Sequence, residues 1–88
     1  MSTEWIRADE LRVGDLVHAP HGGGSSRVQF ATEDDARAAG GPFLRIERLE
    51  RTGPDYAIPN GRDETHVWLE GGDFRRWPDE AHVLRLDG

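Results

Sequence analysis

Cysteine is absent from this 88-residue chain. That excludes a disulfide scaffold, an iron–sulfur cluster, a cysteine nucleophile and a thiolate zinc site. A chain this small without disulfides points to a reducing, cytoplasmic compartment. Lysine is absent too, and all eleven basic residues are arginine. With the many Ala, Gly and Asp residues, this is a statement about codon supply and suggests a high-GC genome. No run approaches the roughly 20 apolar residues that a membrane helix needs. Met1-Ser2-Thr3-Glu4-Trp5 opens the chain with neither a basic nor an apolar leader region, so no membrane role is expected. Hydrophobic residues are scarce as well, at 35% of the chain.

What is present partly offsets that scarcity. Three tryptophans, three phenylalanines and one tyrosine each bury a large area per residue. The formal net charge is −6. Phosphate backbones reward clustered positive charge, so nucleic acid is not the expected partner. The length suits a single domain over residues 1–88 with a small core.

Turn residues punctuate the chain closely. Ala8-Asp9-Glu10-Leu11 reads as one helical turn, Val13-Gly14-Asp15 as a bend, and Leu16-Val17-His18-Ala19 as a short strand ended by Pro20. Residues 20–27 form a glycine-rich loop. Val28-Gln29-Phe30-Ala31 alternates as a short strand would. Thr32 is a good N-cap for a two-turn helix with acids in its first turn and Gly40 after its end. Residues 43–51 suit either a helix or a strand. The surrounding β context favours strand, with a bulge before Leu49 where the alternation slips. Gly53-Pro54-Asp55 and Ile58-Pro59-Asn60-Gly61 are turn signals flanking Tyr56-Ala57-Ile58. Thr65 to Glu70 is the clearest strand. Gly71-Gly72 turns it into Asp73–Trp77, and Pro78-Asp79-Glu80-Ala81 makes one 3₁₀-type turn before the last strand, His82–Leu86.

This C-terminal layout, with the Val13-Gly14-Asp15-Leu16-Val17 entry, resembles an SH3-like small β-barrel, in which a 3₁₀ turn separates the last two strands. It is also similar to SH3-like domains of actinobacteria and their phages. The resemblance covers residues 13–19 and 65–86. It implies a mainly β (or α+β) fold: a barrel of about five strands with a short helical insert. The expected core is Val13, Leu16, Ile46, Val67, Leu69, Phe74, Val83 and Leu86.

Motifs with chemistry are sparse. His18 and His21 are three apart, and with Asp15, His66 or His82 they could ligate zinc. Pro20 and the glycines argue for ordinary histidines instead. Gly22-Gly23-Gly24-Ser25-Ser26 lacks the Lys-Ser/Thr ending of a phosphate loop. The acidic pairs Asp9-Glu10, Asp34-Asp35 and Asp79-Glu80 fall where turns and helix starts favour acids. Ser2, Ser25 and Ser26 sit on no nucleophile elbow. No enzyme activity, metal or cofactor is therefore expected.

Trp and Arg dominate interface hot spots, so the hairpin residues Trp68, Arg75 and Trp77 are the candidate binding site. They are read as one face of the hairpin: by period-two alternation Phe74 and Arg76 share one side and Arg75 and Trp77 the other, and Val67 and Leu69 lie opposite Trp68. The expected function is a non-enzymatic protein–protein interaction or accessory module of a high-GC bacterium or its phage. A small nucleic-acid-binding barrel and a self-assembling structural protein, a homo-oligomer built through an edge strand, are the alternatives.

Overall fold

The alternating segments form strands in the computed structural model, which describes residues 2–20, 26–52 and 63–87. The expectations for His21, for the glycines and Ser25, and for the turns and extended piece at 53–61 lie outside the described residues. The fold is mainly β. Strands β1 (Ser2–Arg7), β2 (Leu16–His18), β3 (Phe43–Arg51), β4 (Glu64–Leu69), β5 (Phe74–Pro78) and β6 (His82–Asp87) are all antiparallel. They build one open six-stranded sheet of order β1-β6-β2-β3-β4-β5. A helix, α1 (Glu33–Ala38), lies between β2 and β3. Among the described residues no helix is long and apolar enough to cross a membrane.

Strand pleating sends alternate side chains to opposite faces, and directly opposed residues share a face. Ile6 faces Val83, and Val67 sits between Leu49 and Arg75. Ile6, Val17, Ile46, Val67, Leu69, Trp77 and Val83 come from all six strands yet meet in one apolar cluster. A flat sheet cannot bring its outermost strands together, so the sheet curls around this inner face. Ala8 and Leu11, from the 3₁₀ turn Ala8–Glu10 and the residue after it, join the same cluster. Two backbone bonds tie this turn to the β5–β6 connection: Ala8 N–H donates to Ala81 O at 2.7 Å and Asp9 N–H to Asp79 O at 3.1 Å.

Strand β3 carries the curl. Its first half pairs with β2 and its second half with β4. The register shifts between Ile46 and Arg48, the irregularity that the broken alternation before Leu49 implies. The helical alternative for 43–51 would have put Phe43, Ile46 and Leu49 on one stripe. Two flanking strands offer β3 a hydrogen-bond ladder that an isolated segment lacks, and the ladder wins.

Some residues depart from expectation. Val13 is 62% exposed and Phe74 is 42% exposed, so neither belongs to the core. Val13 sits in the bend before β2, and Phe74 opposes Trp68 on the outer face of the sheet. Leu16 and Leu86 are half-buried and oppose each other on that same outer face. Val28 is 96% exposed and lies in a turn closed by Phe30 N–H to Ser26 O, so 28–31 is not a strand. Gly71 and Gly72 stand in a 3₁₀ turn (Glu70–Gly72), both with positive φ, and Leu69 N–H bonds Asp73 O across it. Among the described residues the sheet has one strand more than the roughly five expected, because residues 2–7 pair along β6.

Helix α1 starts where Thr32 accepts a hydrogen bond from Asp35 N–H at 3.0 Å. Six residues cannot stand alone as a helix. Thr3, on the outer face of β1, donates to Glu33 at 3.2 Å, which sets α1 over that face, where Leu84 is fully buried. The far end is fastened by β2. His18, 1% exposed, donates from Nε2 to Gly40 O at 2.8 Å and lies 5.0 Å from the Phe43 ring.

Burial disfavours the imidazolium and lowers the His18 pKa below its ordinary 6.5, although the Gly40 carbonyl opposes part of this. The unfolded chain then binds more protons than the folded one just below pH 6.5. Stability should be complete above that pH and decline as the pH falls towards the folded-state value. Urea midpoints measured across this range should flatten in His18→Gln. An unchanged slope would remove His18 as the cause.

Candidate aromatic face on the outer surface of the sheet

The outer faces of β3, β4 and β5 gather aromatic and charged side chains in a continuous strip. Strand β4 buries Thr65, Val67 and Leu69 and turns Glu64, His66 and Trp68 outwards. Register places Arg48 and Phe74 on either side of Trp68, and Glu50 and Arg76 on either side of His66. The Arg48 guanidinium lies 4.3 Å from the Trp68 ring centre, within cation–π distance. Trp68 and Phe74 are tilted neighbours with centroids 5.1 Å apart, and His66 meets Phe74 edge-on at 5.8 Å.

Ion pairs frame these rings. Arg48 pairs with Glu50. Glu64 approaches His66 Nε2 at 3.2 Å and Arg76 Nε at 3.8 Å. The arrangement offers apolar ring surface, two guanidinium groups and two carboxylates on a stiff support. It can bind by stacking and by charge.

The three hairpin residues singled out from sequence do not come together. Trp68 is half-buried within the strip. Trp77 opposes Thr65 on the inner face and is 7% exposed, part of the core. Arg75 is on the inner side as well. Its Nη1 donates to its neighbour's carbonyl, Phe74 O, at 2.9 Å, its Nη2 reaches Pro20 O at 3.5 Å, and its buried Nε has no hydrogen-bond partner among the described residues. The residues that do join Trp68 are Arg48, His66, Phe74 and Arg76. Alternation already paired Phe74 with Arg76. Arg48 was hidden because its place opposite Trp68 depends on the β3 bulge.

The other candidates are engaged locally. His18 is committed to Gly40 and Phe43, and among the described residues no three metal-ligating side chains cluster. Asp79 accepts from the Thr65 hydroxyl at 2.8 Å. Asp34 pairs with Arg37. Asp9 pairs with Arg7 at 2.9 Å, and that hydrogen bond holds its carboxyl below the ordinary range. These acids serve turns, caps and surface pairs.

Comparison with protein-family models, with curated proteins and with solved structures gives no match.

Proposed function

We propose that this chain is a non-enzymatic protein-interaction module on an SH3-like barrel, engaging its partner through Trp68, Phe74 and Arg48. The observation that carries this reading is the half-buried Trp68 beside the exposed Phe74, with Arg48 against the Trp68 ring. Aromatic and arginine side chains are enriched at interface centres, because they give large contact area for little lost conformational freedom. The barrel reading draws support from the curl of the sheet, the bent β3 shared between its halves, and the turn between β5 and β6, which Ala81 N–H closes on Pro78 O at 3.0 Å.

The strip also favours a second reading. Bases stack on exposed aromatic rings beside arginine, although the charge of −6 opposes backbone binding. Affinity capture from cleared lysate on immobilised protein separates the two when read by mass spectrometry and by a low-salt gel shift with single-stranded oligonucleotides. The expected result is a set of proteins held by wild type and by the surface control Arg37→Ala, lost from Trp68→Ala and Arg48→Ala, with no gel shift. The same set retained by Trp68→Ala would sink the interaction reading. A salt-sensitive shift would replace it with the nucleic-acid one.

A further inference from the structure

A separate groove of about 870 Å³ opens beside β1, between Glu4–Arg7, the turn Asp9–Arg12, the end of β3 and the edge of β6. Four arginines and three carboxylates line it, in a chain of net charge −6, and Glu80, Asp15 and Asp87 also act on Arg7 and Arg85 from just outside. Two of the arginines are neutralised: Arg7 by Asp9, and Arg85 by Glu4 and Asp15. The other two are not paired in this way. Among the described residues no carboxylate stands within ion-pair distance of Arg12 or Arg51.

Arg51 is nevertheless held in place. One of its terminal nitrogens donates to Asp9 O at 2.6 Å and to Leu11 O at 2.7 Å. Those bonds cap the carbonyls of the 3₁₀ turn and involve no carboxylate, although the Asp9 carboxyl lies near enough to feel the Arg51 charge. A guanidinium has five N–H donors, so three on Arg51 stay available. Arg12 sits on the next turn of chain. Its backbone N–H is bound by Asp15 Oδ2 at 2.9 Å, while its guanidinium makes no hydrogen bond or ion pair within the described residues. A fixed guanidinium and a second one lining the same concave site suit a doubly charged tetrahedral oxyanion. Glu10, also on the rim, selects against weakly charged anions that cannot outweigh its repulsion.

We propose that this groove binds a phosphate group through Arg12 and Arg51, free or carried as a phosphate ester. Ile6 and Leu11 supply apolar wall for the organic part of an ester, and Trp5 lies in the lining as a reporter.

The test is a titration of the ¹⁵N-labelled chain with inorganic phosphate, phenyl phosphate and acetate, at constant ionic strength and above the second pKa of phosphate. The signals followed are the arginine Nε and Trp5 indole resonances. Saturable shifts at Arg12, Arg51 and Trp5 are expected with both phosphates and not with acetate. Tighter phenyl phosphate would assign the ligand to esters, and equal binding to free phosphate. Arg12→Gln should weaken phosphate roughly tenfold, the usual effect of losing one charge-assisted contact. Arg12 is exposed, so this variant keeps the fold, and its backbone spectrum verifies that. Arg51→Lys retains the charge but not the double carbonyl contact, and should weaken binding less than Arg12→Gln. Non-saturating shifts, equal shifts with acetate, or unaltered affinity in Arg12→Gln would each overturn the proposal.

Discussion

Trp77→Ala is expected to lose about 3–5 kcal/mol of folding stability, the range for truncating a buried large aromatic. Trp77 is 7% exposed and packs in the cluster that unites all six strands. Alanine there leaves a cavity bounded by residues of several strands, which cannot collapse without breaking the ladder on either side. Small domains hold only about 5–15 kcal/mol in total, so a substantial fraction of the variant should be unfolded at 37 °C. Trp68→Ala should cost about 1 kcal/mol, because its half-buried ring gives up one cation–π contact and one tilted ring contact. Urea denaturation of both variants measures the difference. Comparable losses would contradict the assignment of the two tryptophans to opposite faces. The contrast also protects the functional test, since loss of partner binding in Trp68→Ala then cannot be put down to unfolding.

The second large effect is expected at Gly41. Its φ is +104°, and a Cβ placed there would stand 2.5 Å from the Pro20 Cα. Alanine must therefore meet both backbone strain and a collision with main chain that has no flexible end to move aside. The expected cost is on the order of 3 kcal/mol, or local detachment at a smaller cost. Gly14 provides the control: its φ is +99°, with nothing within 4 Å of a Cβ. Gly14→Ala should lose only the strain, about 1–2 kcal/mol, and the excess in Gly41→Ala isolates the collision. The site matters because this crossing fastens α1. Ala19 N–H donates to Pro42 O at 2.9 Å, and His18 bonds Gly40 there. Hydrogen exchange should show faster exchange of the α1 amides in Gly41→Ala. Equal protection in the two glycine variants would mean that the crossing does not hold the helix.

These two predictions rest on different kinds of knowledge. The separation of Trp68 from Trp77 depends on the register across the Glu70–Gly72 turn, which local pattern does not give, whereas the alternation within Thr65–Leu69 and within Phe74–Trp77 was legible, being a local property of extended chain. So were the Thr32 cap, the turn at Pro78–Ala81, and the slip before Leu49 that the structure resolves as a bulge. Alternation cannot say which face lies inside. Phe74 is as apolar as a core residue, yet it opposes Trp68 outside while Arg75 points in with Trp77. Only the curl of the sheet, which brings β1 and β5 to one cluster, makes that decision. The N-terminal strand was missed for a similar reason: Ser2–Arg7 shows no strong pattern of its own, and its order comes from pairing along β6.

The sequence by itself determined a small, cysteine-free, all-arginine, acidic chain, rich in turns, with an aromatic hairpin near its C-terminus. Tertiary structure alone decided which residues share the candidate site. Arg48 reaches Trp68 only through a register shift in a strand 20 positions earlier in the chain. The pairing of Trp68, Arg75 and Trp77 gave way to one of Trp68, Phe74 and Arg48, since cross-strand neighbours are set by pairing and bulges, which are long-range. Arg51 likewise acquires its place in the groove that Arg12 also lines from two carbonyls about 40 residues away, a contact that no local pattern encodes.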